Sequence, residues 1–169
     1  MRLKGYDYSQ EGAYFITICT HNRECLFGNI INSQMQLNEY GDAVIKEWLK
    51  TPELRPNIEL DKFIVMPNHL HAIMIISWHM RSHSITTLNT FLRSPSQTVG
   101  AIIRGFKSTV TKQLNQIRNL PATPIWQRNY YESIIRNEND LNCIREYIIN
   151  NPGQWDLDDE NPAKHKHIT

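Results

Sequence analysis

The sequence predicts an α+β fold in which helices pack on a mostly antiparallel sheet. The predicted elements follow the order strand, hairpin, helix, strand, strand, helix, strand, helix, which is close to the split βαβ or ferredoxin-like arrangement. The segment His69–Trp78 is apolar on both faces, a pattern typical of a central strand that is covered on both sides. The segment Thr98–Ile117 carries apolar residues at i, i+3, i+4 and i+7, which predicts an amphipathic helix.

Each strand and helix is predicted from its own residue pattern. Runs rich in apolar, aromatic and β-branched residues predict strands over Ala13–Thr20, Ile58–Met66, His69–Trp78 and Ile125–Ile135. Two short apolar pieces around Asn32-Ser33 predict a small hairpin within Leu26–Leu37. The predicted helices run from Asn38 to about Lys50, from Thr98 to Ile117 and from Asn137 to Asn150, and the two asparagines are expected to act as N-caps.

The chain length indicates one domain. Residues 1–155 are expected to form it, because 169 residues fall within the usual size of a single domain. Residues 156–169 are acidic and then rich in His and Lys, and we interpret them as a C-terminal tail. The polar segment His79–Gln97 is interpreted as a mobile surface loop that can act as a lid.

Composition excludes several classes of protein. No apolar run reaches the ~18 residues that a membrane span needs. The first twelve residues, MRLKGYDYSQEG, lack the apolar core of a signal peptide, so we expect a cytoplasmic protein. Three scattered cysteines (Cys19, Cys25 and Cys143) are too few for a disulfide framework or a zinc knuckle.

The net charge of +1 hides an uneven distribution along the chain. Residues 98–136 contain six basic residues and one acidic residue, a net charge of +5. Residues 137–162 contain one basic and seven acidic residues, a net charge of −6. A basic segment of this kind can face the phosphates of a nucleic acid, but it is equally consistent with an ordinary solvated surface.

Two histidines at the start of a strand are the first candidates for chemistry. His69 and His71 are two residues apart, so their imidazoles lie side by side on one face of the predicted strand. Two such rings can hold a divalent metal ion when a third ligand arrives from elsewhere in the fold. The alternative is a pair of structural histidines that are satisfied by hydrogen bonds.

The second candidate is a tyrosine on the last predicted helix. Tyr147 and Asn151 are four residues apart and therefore share one helix face, beside an apolar stripe. The position is also consistent with a boundary tyrosine that packs its ring and exposes its hydroxyl. Tyr130 and Tyr131 are further available tyrosines, and as strand neighbours they point to opposite faces of the sheet.

Five sequence blocks carry a resemblance to a known family. His69-Leu70-His71 is similar to the HUH motif (His, bulky apolar residue, His) of single-strand DNA nucleases. The sequence from Tyr6 to Trp155 resembles the REP-associated tyrosine transposases, which are single-tyrosine HUH transposases of small bacterial insertion sequences. The blocks are GAYFITICTHNRECLFG (Gly12–Gly28), VMPNHLHAI (Val65–Ile73), IIRGFKS (Ile102–Ser108), IWQRNYYESIIRNENDL (Ile125–Leu141) and REYIINNP (Arg145–Pro152).

This resemblance implies roles for particular residues. His69 and His71 match the metal-binding histidines of an HUH motif that lies on a central strand, and Tyr147 matches the nucleophile. Asn151 matches the position of a polar third metal ligand. The implied activity is a metal-dependent single-strand DNA endonuclease and strand transferase. The implied reaction uses Mg²⁺ or Mn²⁺ and forms a 5′-phosphotyrosine intermediate beside a DNA hairpin.

The implied partner is single-stranded or hairpin DNA, and the implied location is the bacterial nucleoid. Four basic residues are expected to contact the DNA backbone: Arg104, Lys107, Arg118 and Arg128. An unpaired base can stack on Trp126, Tyr130 or Tyr131, unless these rings belong to the core.

Two alternative activities stay open at this level. One is a hairpin-binding protein with vestigial catalysis, and the other is a hydrolase that uses water in place of Tyr147. The sequence also leaves open whether the protein is a monomer or a homodimer. Ser133 is one departure from the resemblance, because many relatives have His at that position.

Overall fold

A computed structural model describes residues 10–77 and 98–165 of the chain. These two ranges contain six strands: β1 (Gly12–Cys19), β2 (Gly28–Ile31), β3 (Gln34–Leu37), β4 (Ile58–Met66), β5 (His69–Ile76) and β6 (Tyr131–Ile135). The α-helices are α1 (Glu39–Leu49), α2 (Thr51–Leu54), α3 (Val99–Arg118) and α4 (Glu138–Asn150). Short 3₁₀ helices cover His21–Arg23, Asn151–Leu157 and Pro162–His165. No helix in these two described ranges combines the length and apolar character of a membrane span.

The main sheet has four antiparallel strands in the order β4-β5-β1-β6. This is the order of a ferredoxin-like fold, with the hairpin of β2 and β3 inserted before α1. The predicted α+β fold is therefore confirmed, and β5, which carries His69 and His71, lies in the interior of the sheet between β4 and β1. Asn32 and Ser33 have positive φ, as a tight hairpin turn between β2 and β3 requires.

The predicted strand over Ile125–Ile135 is shorter in the structure. Trp126 forms an isolated bridge with Thr20, and regular pairing with β1 starts only at Tyr131. Between them, Gln127 N–H still donates to the Cys19 carbonyl at 2.9 Å, and the Lys107 ammonium group donates to the backbone carbonyls of residues 127–129. The short helix α2 follows α1 directly. The predicted loop His79–Gln97 lies outside the described residues. Apart from this loop and the shortened strand β6, the predicted elements occur within a few residues of their expected bounds.

The two faces of the sheet have different partners. Even-numbered residues of β1 and β5, such as Ile16 and Leu70, point into a large core that α1 and α3 cover. Odd-numbered residues, such as Phe15 and Ile73, point to the opposite face, where α4 packs. His69 and His71 belong to this second face, so α4 brings Tyr147 to the side of the sheet that carries the histidines.

A small apolar cluster holds α4 on the sheet. Ile148 is 1% exposed and packs with Ile73 and Ile135. The adjacent residue Ile149 is 59% exposed and lies outside the cluster. The two isoleucines form a matched pair in one helical turn, and only Ile148 contributes to the contact that positions the tyrosine helix.

We predict that Ile148→Ala lowers the free energy of unfolding by about 2–5 kcal/mol, because it removes buried methyl groups and leaves a cavity. Ile149→Ala should change it by less than about 0.5 kcal/mol, as surface substitutions usually do. Urea denaturation followed by circular dichroism measures both. Equal destabilisation by the two variants would contradict the packing described here.

A charged contact joins α4 to β4 beside this cluster. Arg145 Nε donates hydrogen bonds to both carboxylate oxygens of Asp61, at 3.2 and 3.0 Å, and Arg145 Nη2 donates to one of them. These hydrogen bonds hold the pKa of the Asp61 carboxyl below its usual value of 3.8. Arg145 is two residues before Tyr147, so the contact fixes the helix close to the nucleophile candidate.

The lowered pKa of Asp61 gives this contact a defined pH dependence. A carboxyl whose pKa is lower in the folded state stabilises the fold at pH values above the unfolded-state pKa, and this contribution is lost as the pH falls through the folded-state pKa. We therefore expect Asp61→Asn to lower stability at pH 7, and the difference from wild type to shrink as the pH falls below 3.8. Urea titrations at a series of pH values measure it. Glu59→Gln, at an exposed position of β4, is the control; the same pH-dependent loss in the control would contradict the assignment.

Candidate metal and tyrosine site

The two histidines sit side by side on β5, directly after the turn Pro67-Asn68. His69 pairs with Cys19 and His71 pairs with Thr17 on the neighbouring strand β1. Their ring centroids are 4.4 Å apart, and the two side chains are 0% and 4% exposed. The predicted side-by-side arrangement is therefore present, and it lies in the protein interior.

Hydrogen bonds orient both imidazoles through their Nδ1 atoms. Asn68 Oδ1 lies 2.9 Å from His69 Nδ1, and Thr17 Oγ1 lies 2.8 Å from His71 Nδ1. The Asn68 amide nitrogen already donates to the carbonyls of Arg23 and Glu160, so its oxygen faces His69 as an acceptor. His69 must then carry its hydrogen on Nδ1, which leaves the lone pair on Nε2. A hydrogen bond to the ring nitrogen that does not bind the metal orients a histidine for metal binding.

Both histidines are neutral at physiological pH. Burial lowers the pKa of His69 to about 3. Burial, together with the neighbouring His69 ring, lowers the pKa of His71 to about 3. Metal ligation requires a neutral imidazole, so the site meets this condition without losing a proton.

Asp158 completes a group of three possible metal ligands. Ligand atoms of His69, His71 and Asp158 all lie within 4.8 Å of one another, and His69 Nε2 is 3.9 Å from Asp158 Oδ2. Sequence analysis missed Asp158 because it lies in the segment interpreted as a tail, where it is one of four acidic residues in five positions. The structure instead folds this segment back over the histidines.

Asn151 lies in the same cluster, as its position one turn after Tyr147 predicts. It is 3% exposed, and its amide nitrogen donates to Asp158 Oδ2 at 3.1 Å. Two buried polar atoms here have no hydrogen-bond partner in the described part of the chain: Asn151 Oδ1 and His69 Nε2. Buried polar atoms normally have partners, so unpaired acceptors beside a carboxylate fit a site that a cation completes.

The Tyr147 hydroxyl is directed at the histidines. Its oxygen lies 3.2 Å from His71 Nε2, and the ring centroids of the two residues are 5.2 Å apart. The side chain is 45% exposed, so the hydroxyl is open to a substrate. Partial burial, reinforced by the negative charge of Asp158, raises the pKa of Tyr147 above its usual value of 10. The phenol is therefore protonated at neutral pH in the absence of a nearby cation.

Glu132, a carboxylate next to Tyr131 in the sequence, lies on the face of the sheet opposite the histidines. It pairs with Ile16, and its side chain accepts a hydrogen bond from the Tyr130 hydroxyl at 2.8 Å. An even-numbered residue of β6 points toward α1 and α3, because side chains alternate along a strand. Glu132 is thus excluded as a ligand by strand register.

The structure does not bring the predicted DNA-contacting residues to the histidines. Arg104, Lys107 and Arg118 belong to α3, which covers the opposite face of the sheet. Lys107 donates its hydrogen bonds to backbone carbonyls of the segment before β6. Arg104 and Arg128 are exposed, and Arg118 is half-buried.

An open cavity of about 410 Å³ lies beside the tyrosine. One part of its wall is aromatic and the other is acidic; the residues are Phe15, Tyr131, Tyr147, Asp158, Asp159 and Glu160. The volume is within the range of ligand-binding clefts. His71 and Asn151 also line it, so a molecule in the cavity reaches both the hydroxyl and the candidate metal ligands.

Comparison with known proteins gives three informative matches. An uncharacterized protein of Haemophilus influenzae is 47% identical over 163 residues, which cover 94% of this chain and 89% of that protein. A "Putative REP-associated tyrosine transposase" of the same organism is 23% identical over 150 residues, which cover 86% of this chain and 73% of that protein. A solved structure of a REP-associated tyrosine transposase bound to a REP hairpin superposes with a TM-score of 0.59 at 21% identity, and the match covers 92% of this chain and 74% of the other.

No family model matches the sequence. The relative at 47% identity aligns over most of both chains, which is enough to group the two proteins. The solved structure shows the same fold, and the more distant H. influenzae relative adds a match in sequence. The chain therefore belongs to one family with the 47% identical H. influenzae protein, and its predicted resemblance to the REP-associated tyrosine transposases is confirmed.

Proposed function

We propose that the protein is a metal-dependent single-strand DNA endonuclease and strand transferase, which cleaves DNA beside a hairpin and forms a 5′-phosphotyrosine intermediate. One observation carries the proposal: the Tyr147 hydroxyl lies 3.2 Å from His71, inside a cluster that also contains His69 and Asp158. The likeness to REP-associated tyrosine transposases supports a transposase-like function. Hairpin DNA is the proposed partner because the relative of known structure is bound to a REP hairpin.

The residues present fit a divalent cation with a preference for oxygen ligands. His69 and His71 supply two neutral nitrogens, and Asp158 and Asn151 supply two oxygens. Two neutral imidazoles and one carboxylate leave a divalent ion with a net positive charge, which suits a phosphate as a further ligand. When bound, Mg²⁺ or Mn²⁺ supplies charge that polarises the scissile phosphate, favours phenolate and stabilises the leaving oxygen.

Tyr147 is the proposed nucleophile. Its phenolic oxygen forms a bond to phosphorus while the bond from phosphorus to the 3′ oxygen breaks. The phenolic proton is lost to solvent, and the released 3′ oxygen takes up a proton to become a hydroxyl group. The product is a 5′-phosphotyrosine, which keeps the phosphodiester linkage available for transfer to a second 3′-OH at the same site.

Burial and charge explain how the chain prepares this reaction. The histidines are buried under α4, whereas Tyr147 at the edge of α4 stays 45% exposed, so the ligands are held in place and the nucleophile is accessible. Asp158, Asp159 and Glu160 line the cavity that a phosphodiester must enter. Because these carboxylates repel phosphate, the bound cation is needed to reverse the local charge.

The duplex stem of a hairpin extends beyond this cavity and can contact another surface of the protein. Arg104 and Arg128 are exposed and are proposed to contact phosphates of the stem, together with the half-buried Arg118. Lys107 is a weaker candidate because backbone carbonyls already occupy its ammonium group. These contacts would add salt-dependent affinity and would not take part in cleavage.

We predict that Tyr147→Phe abolishes covalent attachment to DNA and leaves hairpin affinity unchanged, because it removes one hydroxyl and keeps the ring. The experiment incubates the protein with Mn²⁺ and a panel of hairpin oligonucleotides with single-stranded flanks. A denaturing gel detects the covalent protein–DNA band, and a gel-shift assay measures binding. Tyr130→Phe, on the opposite face of the sheet, is the matched control and should form the band.

Three other outcomes of this gel have distinct meanings. If Tyr147→Phe still forms the band and Tyr131→Phe does not, the nucleophile is Tyr131, the other tyrosine that lines the cavity. Hairpin binding by the wild type without a band would indicate a DNA-binding protein with vestigial catalysis. Cleavage without a band would indicate hydrolysis by water.

We predict that Asp158→Asn lowers the affinity for Mn²⁺ in the absence of DNA by at least about tenfold, because it removes the only charged ligand. Isothermal titration with Mn²⁺ measures the affinity without any need for activity. Asp159→Asn is the matched control, since the Asp159 side chain is 89% exposed and lies outside the ligand group. Unchanged affinity of Asp158→Asn would contradict its assignment as a ligand.

The same titration tests Asn151. Asn151→Ala removes the unpaired oxygen and should weaken Mn²⁺ binding, whereas Asn150→Ala, at an exposed position one residue away, should not. Far-ultraviolet circular dichroism checks that both variants keep the fold. If neither variant changes the affinity for Mn²⁺, Asn151 is not a ligand and the proposed ligands are His69, His71 and Asp158.

A further inference from the structure

We infer that Tyr131 forms a base-stacking subsite, which holds a nucleobase next to the scissile phosphate. The inference rests on the proposed function and adds a positioning residue to it. Its basis is the position of one exposed tyrosine ring in the cavity that contains Tyr147 and His71.

The register of β6 places Tyr131 on the face of the sheet that carries the histidines. Tyr131 pairs with Thr17, and Thr17 pairs with His71 on the other side of β1. Phe15 connects the rings: its centroid is 6.2 Å from Tyr131 and 6.1 Å from Tyr147. The rings of Tyr131 and Tyr147 therefore both contact Phe15, and all three line the same cavity.

Exposure distinguishes Tyr131 from the other aromatic residues of its segment. Trp126 is 6% exposed and packs against Phe27 and Phe106 in the large core. Tyr130 is bonded to Glu132 on the opposite face. Tyr131 is 48% exposed, and the edge-on contact with Phe15 leaves much of the ring open to the cavity. Stacking needs such an accessible aromatic face.

Charge indicates which part of a nucleotide lies there. The cavity wall also includes Asp158, Asp159 and Glu160, and carboxylates disfavour a second phosphate close to them. A nucleobase is flat and uncharged, so it can occupy the aromatic part of the cavity without this repulsion. Leu157, which is 74% exposed, adds another apolar surface in the same cavity. The aromatic part of the wall is thus suited to a base and the metal ligands to the phosphate.

The test uses 2-aminopurine, a base whose fluorescence is quenched on stacking. It is placed in turn at each flank position of a hairpin oligonucleotide that the wild type binds. We expect one position next to the cleaved phosphate to be quenched by the wild type and by Tyr131→Phe, which keeps the ring. Tyr131→Ala and Tyr131→Leu should abolish the quenching and weaken binding roughly 5-fold to 150-fold, the range measured for loss of one stacked base.

Ile149→Ala is the control for truncation of an exposed apolar side chain, because Ile149 does not line the cavity. It should bind and quench as the wild type does. An abasic nucleotide at the quenched position should weaken the wild type and have no further effect on Tyr131→Ala. Equal quenching and affinity for wild type, Tyr131→Ala and Tyr131→Leu at every position would overturn the inference.

The covalent band on the denaturing gel distinguishes failure of the stacking subsite from failure of the proposed cleavage. If the wild type forms the band and the Tyr131 variants bind normally, the subsite is wrong and the proposed cleavage stands. If quenching depends on Tyr131 but no band forms, the subsite is supported and the proposed cleavage is wrong.

Discussion

The buried amide of Asn68 is the contact on which the site depends. Its nitrogen donates to the carbonyls of Arg23 and Glu160, and its oxygen accepts from His69. One side chain that is 0% exposed therefore joins the segment after β1, the turn before β5 and the C-terminal segment. Since both donors are used, the direction of the acceptor is determined, and with it the nitrogen of His69 that faces Asp158. The salt bridge between Arg23 and Glu160, at 2.8 Å, reinforces the same connection.

On one face of the sheet, the two histidines are buried and Tyr147 is partly exposed. Burial lowers the pKa of both imidazoles and keeps them neutral, whereas the proposed nucleophile Tyr147 must stay accessible to a substrate. The helix α4 satisfies both requirements because Ile148 packs against the sheet while Tyr147, one residue earlier, lies at the edge of the contact. The larger core on the other face, built from α1 and α3, supports the sheet without entering the site.

Much of the fold follows from local patterns. Strand β5, helix α3 and the caps Asn38 and Asn137 were predictable from apolar periodicity and capping residues, and both caps bind backbone N–H groups as expected. The shortened β6 was not predictable, because the backbone just before it is bound by Lys107 from the distant helix α3. That contact depends on how α3 crosses the sheet, which no local pattern encodes.

Local sequence patterns predicted the order of the elements, the adjacent placement of His69 and His71, and the shared helix face of Tyr147 and Asn151, because periods of two and 3.6 residues are local properties. Tertiary packing brings Asp158 to the histidines, turns Glu132 away from them and places Tyr131, unlike Trp126 and Tyr130, in the wall of the cavity. Each of these depends on strand register or on the path of the C-terminal segment. Such long-range pairings bring together residues that are far apart along the chain, so their geometry is set by the packing of the whole sheet.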